Sequence, residues 1–114
     1  MKITHYEFGR ISVGGKDYQS DVIISRKGVQ DKWWRKKGHN LAIDDLENVL
    51  QAKPEIVVIG CGYYVRMQVP DATKEYLTNK GIRVEIANTS EAVTRFNTLQ
   101  QDCARIVAAL HLTC

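Results

Sequence analysis

The sequence predicts an α/β domain with β-hairpins in its first third and a βαβ unit toward its C-terminal end. Three observations carry this. The first third holds short β-branched stretches punctuated by Gly14-Gly15 and Gly28. Two aliphatic runs, Ile56 to Ile59 and Ile106 to Leu110, show no polar alternation, as strands buried on both faces do. Between them lie segments whose apolar residues recur at helical spacing.

Phe8, Ile11 and Val13 lead into Gly14-Gly15, a pair that accepts the positive φ angles of a tight hairpin, and Tyr18 follows. Asp21 to Ser25 is a β-branched run. Arg26-Lys27-Gly28 turns the chain, and Val29, Asp31 and Trp33 alternate as a returning strand. Trp33 to Asn40 reads as a loop. Asp44 and Glu47 have the spacing of a capping box ahead of a helix with Leu46, Val49 and Leu50 inward, stopped by Pro54. The buried run from Ile56 ends at Gly60-Cys61-Gly62. Pro70-Asp71 opens a second helix with Tyr76 and Leu77 inward, and Gly81 serves as its left-handed cap. Ile82 to Ile86 alternates as a strand. Asn88-Thr89-Ser90 caps a third helix with Ala92, Val93, Phe96 and Leu99 on one face. The strands at 56–59 and 82–86 flank a helix and should therefore run parallel.

At 114 residues the chain has the length of one domain, 1–114, and buries roughly two-thirds of its unfolded surface on folding. No apolar run reaches the length of a signal peptide or a membrane span. Three cysteines at irregular spacing (Cys61, Cys103, Cys114) do not make a secreted disulfide framework, so a cytoplasmic location with no membrane partner is expected. The net charge is +3, yet Arg26 to Lys37 holds six cations against Asp31 alone. That stretch carries +5 and the rest of the chain −2. A local basic patch speaks about partners rather than fold.

Several pieces in order and spacing also resemble a family of small domains of unknown function. Its relatives include the adipogenesis-associated domain-containing protein and a mitochondrial complex I assembly factor. The matching residues are Trp34-Arg35 with Gly38-His39, Ile59-Gly60-Cys61-Gly62, Pro70, Leu77, Gly81-Ile82, Val84 and Thr89. Ala92, Phe96-Asn97, Leu99 and the stretch Arg105 to His111 with Thr113-Cys114 complete the set. The resemblance implies a three-layer fold around a mixed, five-stranded sheet, and no established enzyme activity. Where many relatives carry Glu-Gly before the arginine, this chain has Asp102-Cys103-Ala104.

Two regions are candidate sites. Gly60, Cys61 and Gly62 follow a buried strand, where open α/β sheets place ligands. Asn88, Thr89 and Ser90 end the neighbouring strand, so the two loops could wall one anion or nucleotide cleft with Arg66 at its mouth. A dinucleotide fingerprint needs a third glycine and an immediate helix, and Tyr63-Tyr64-Val65 supplies neither. Tight turns and ordinary capping are the plainer readings of both loops. Cys61 has no base beside it in sequence, and small-residue packing is its default. His111 and Cys114 have two-ligand spacing, but the other His and Cys residues are scattered, so neither metal nor cofactor is expected.

The second region is the loop carrying Trp33, Trp34, Arg35, Lys36, Lys37 and His39, which offers cations and aromatic surface together. Protein docking is the leading expectation, making the domain a non-catalytic interaction or assembly module. The small-anion cleft is the alternative, and single-stranded nucleic acid stacking on the tryptophans the second alternative. No catalytic signature names a reaction. One further expectation concerns Asn97, a mediocre helix former beside the buried stripe of the third helix, whose amide should bond the backbone of a neighbouring segment.

Overall fold

The computed structural model describes residues 1–114. Its first three strands, β1 (Ile3–Glu7), β2 (Arg10–Val13) and β3 (Lys16–Tyr18), form an antiparallel sheet in that order. The β2–β3 turn is Gly14-Gly15, both at positive φ, as the sequence predicts. A second hairpin, β4 (Val22–Ser25) and β5 (Gly28–Gln30), joins the main sheet instead. The returning strand is shorter than the alternation suggests. It ends at Gln30, because Lys32 adopts a left-handed φ of 55° and turns Trp33 inward.

The main sheet has five strands in the order β5-β4-β8-β6-β7, where β6 is Ile56–Cys61, β7 Arg83–Ala87 and β8 Ile106–His111. β6 is parallel to β7 and to β8, whereas β4 runs antiparallel to β8, so the sheet is mixed. β6 and β8 sit centrally and are buried at every residue, which is why their sequences do not alternate.

Each face of this sheet carries its own apolar layer. On one, Val22, Ile24, Val58, Ala108 and Leu110 meet Ala92 and Phe96 of α3 (Thr89–Leu99) and Ile3, Ile11 and Val13 of the small sheet. On the other, Ile23, Val57, Ile59, Val107 and Ala109 meet Val49 of α1 (Glu47–Gln51), Leu77 of α2 (Asp71–Asn79), Trp33 and Met67. This is the three-layer α/β arrangement. Each such aliphatic side chain taken from water contributes about 1.5–3 kcal/mol before conformational entropy is subtracted.

The start of α1 differs from the expected cap. A 3₁₀ turn over Ile43–Leu46 precedes it, and Asp45 rather than Asp44 or Glu47 does the capping. The Asp45 carboxylate accepts N–H groups from Ala42 at 2.9 Å and Lys36 at 3.2 Å. Asp44 instead reaches the Lys36 side chain, its Oδ2 accepting from Nζ at 3.5 Å. Past α1, Lys53 takes a left-handed φ of 49°, consistent with the bar on right-handed helix before Pro54. No helix is long and apolar enough to cross a membrane.

Candidate functional site

The two loops at the carboxyl ends of β6 and β7 do come together, but they bond to each other. Gly62 N–H donates to the Thr89 hydroxyl at 2.9 Å, that hydroxyl donates to the His111 carbonyl at 2.6 Å, and Thr89 N–H donates to Gly62 O at 3.2 Å. Tyr63 N–H goes to Thr113 O, and Arg66 N–H to Cys114 O. Asn88 Oδ1 caps α3 by accepting Glu91 N–H at 2.8 Å. Ser90 and Arg66 stand at the surface. Between the two walls the Gly62, Tyr63 and Thr89 N–H groups that could receive an anion are already paired within the fold. Gly60 makes this pairing possible, because a Cβ there would lie 2.8 Å from Thr89 Oγ1 and 2.9 Å from Leu110 Cδ2. Cys61 is buried, and burial pushes its thiol up against a smaller opposing pull from Lys74, which favours the unreactive protonated form.

The basic aromatic loop divides into anchors and exposed groups. Trp33 is buried, with its indole N–H donating to Asp45 O at 2.9 Å and its backbone N–H to Asp21 O at 2.9 Å. Arg35 turns inward: its guanidinium packs over the Trp33 ring at 4.7 Å, and Nε donates to Gly38 O at 3.1 Å. Trp34 between them is 81% exposed, and Lys36, Lys37 and His39 also face solvent. A tryptophan fixed at both flanks and bare on its own ring is the most prominent feature of this surface.

Beneath the loop Arg35 joins Asp21 and His111 in a polar cluster that the sequence did not put together. Arg35 Nη2 donates to Asp21 Oδ2 at 2.7 Å, and His111 Nδ1 lies 2.8 Å from the same oxygen. Leu112 N–H donates to Asp21 Oδ1 at 2.7 Å. Burial alone would raise the Asp21 pKa, but bonds from His111, Leu112 and Arg35 outweigh it and hold the carboxyl below the ordinary value. An ionised Asp21 assigns the Nδ1 proton to the shared bond and leaves His111 Nε2 facing away from it. Arg35 Nη1 and His111 Nε2 are both buried without a hydrogen-bond partner. Leaving such groups unpaired costs about 1–3 kcal/mol each, and more where charge is involved. The signal available in sequence was faint: Asp21 opens a β-branched run and His111 closes an aliphatic one, each a polar residue at the edge of a buried strand.

Above the strand ends an exposed aromatic group forms from Phe8, Tyr63 and Tyr64, with ring centroids 5.0–6.1 Å apart. Val65 beside them holds a left-handed φ of 59°, a costly conformation for a β-branched residue. No three His, Cys, Asp or Glu side chains converge as a metal-binding group.

The architecture recurs in solved structures. A conserved hypothetical protein, PH1505, from Pyrococcus horikoshii OT3 superposes with a TM-score of 0.80 at 24% identity, covering 100% of both chains. A protein named MT938 gives 0.81 at 27% identity, covering 99% of this chain and 98% of its own. A Bordetella pertussis protein described as a Mth938-like domain gives 0.78 at 19% identity over 97% of this chain and 85% of its own. The model of the family described as "Protein of unknown function (DUF498/DUF598)" matches residues 3–111. With nearly its full length matched, the chain belongs to that family of unknown function.

Proposed function

We propose that this domain is a non-catalytic protein-interaction or assembly module that docks a partner through Trp34, Lys36, Lys37 and His39. The observation that carries the reading is Trp34, 81% exposed between two buried neighbours. Exposed tryptophan is rare on a free surface and enriched at the centres of interfaces, where a fixed ring loses little entropy on binding. Lys36 and Lys37 supply a charged rim, while Trp33 and Arg35 act as anchors rather than contacts. The resemblance of Trp34-Arg35 and Gly38-His39 to assembly-factor relatives supports the same role, in a cytoplasmic setting.

The other readings have less support. A small-anion cleft at Gly60–Gly62 and Asn88–Ser90 would need backbone donors that Thr89, Thr113 and Cys114 already engage. Nucleic-acid stacking has a single free indole to work with. Affinity capture comparing the native chain with a Trp34→Ala, Lys37→Ala double variant tests the docking reading. Specific partners should be lost from the variant, whose anchors are untouched; identical partner sets from both would overturn it.

A further inference from the structure

Arg35 Nη1 and His111 Nε2 are unpaired atoms on side chains that are only 4% and 7% exposed. Buried polar atoms are rarely left with nothing to meet them. They also belong to one cluster, for Arg35 Nη2 lies 3.0 Å from His111 Nδ1. The two side chains meet through Nη2 and Nδ1, so a single oxyanion that reached both free nitrogens would satisfy them together.

We propose that Arg35 and His111 form a receptor for one small oxyanion, a carboxylate or phosphate group. Asp21 orients both donors without competing for them, because its Oδ2 is held by Arg35 and His111 and its Oδ1 by the Leu112 N–H. A cleft of about 330 Å³ bounded by Ser20, Asp21, Lys32 and Gly38 already reaches the Arg35 side chain, and His111 lies outside its lining. The His39 ring packs against His111 with centroids 5.6 Å apart and is itself exposed.

Charge balance fits this ligand class. Arg35 and ionised Asp21 cancel, so an anion arriving alone would leave the buried cluster negative. Uptake of one proton from solvent at Nε2 makes His111 cationic, supplies the second donor and restores neutrality for a singly charged anion. The titratable groups around His111 are Asp21 before β4, Arg35 and His39 of the loop, Cys61 at the paired position of β6, and Tyr6 of β1, whose hydroxyl bonds Leu112 O. Asp21 alone bonds the imidazole, through the Nδ1 proton, with Arg35 Nη2 3.0 Å from that nitrogen, which leaves Nε2 to the ligand.

The test is side-chain ¹⁵N NMR of the intact chain, titrated separately with inorganic phosphate and with acetate. Binding should move the His111 Nε2 and Arg35 Nη1 resonances saturably and convert Nε2 to its protonated form, with the Nδ1 proton retained. Response to phosphate alone, to acetate alone, or to both assigns the group as phosphate, carboxylate or either. His111→Gln, whose amide can still reach Asp21, should weaken binding at least tenfold. Resonances that stay unmoved by both anions at tens of millimolar would overturn the proposal, and so would a folded His111→Gln chain that binds as the native one does.

Discussion

Asn97 and Ile3, at opposite ends of the chain, are joined by a closed pair of hydrogen bonds. Asn97 Nδ2 donates to Ile3 O at 2.7 Å, and Ile3 N–H donates to Asn97 Oδ1 at 3.0 Å. The amide thus serves β1 as a neighbouring strand would, fastening α3 to the small sheet.

Asn97→Ala should cost about 1–3 kcal/mol, since it leaves both Ile3 groups unpaired in a part-buried position. Asn97→Asp should be at least as damaging, because a carboxylate cannot donate to Ile3 O and meets it as a second acceptor. Urea unfolding checks both: the midpoints should fall for each variant, and an unchanged pair would refute the role.

Gly60→Ala should destabilise by roughly 1–3 kcal/mol through overpacking, as its methyl would press on Thr89 and Leu110. Gly62→Ala should be worse. It combines a left-handed φ of 103° with overlap against the Cys114 backbone, which cannot swing aside as a side chain can. Thermal unfolding of the two variants should rank them in that order.

The two tryptophans should separate cleanly. Trp33→Ala removes a buried ring and a hydrogen bond, and should cost about 3–5 kcal/mol. Trp34→Ala should shift stability by no more than about 0.5 kcal/mol, as surface changes do. Acrylamide quenching of the single-tryptophan variants offers an independent measurement: the indole of Trp34 should be quenched readily and that of Trp33 weakly.

Tyr6 should report on alkaline stability. Burial, aided by the charges of Tyr63 and Asp21 and opposed by the Thr89 hydroxyl, pushes its phenol up to about 12. A raised folded pKa means the folded chain holds its proton longer than the unfolded chain does. The associated stability is full below pH ~10 and drains away as pH rises toward the folded value. After allowance for solvent screening the loss should be roughly 1–2 kcal/mol. Absorbance titration at the tyrosinate band should show a late step near pH 12 that Tyr6→Phe abolishes.

Local order was legible in the residues themselves. The Gly14-Gly15 turn, the unbroken apolar runs of β6 and β8, the Asn88 cap and the inward stripe of α3 all follow from chemistry within a few positions. Even Asn97 announced itself, because a poor helix former beside a buried stripe needs a partner to justify it. What tertiary structure alone decided is which distant residues meet. β4 and β8 lie side by side only in the finished sheet, and that adjacency brings Asp21 to His111 across 90 positions. The same pairing draws Arg35 inward and leaves Trp34 outside, a division that adjacent residues in one basic stretch cannot signal. Periodicity records which face of an element is buried; it carries no record of what lies against that face, because the energy of those contacts is set by chain segments far away in sequence.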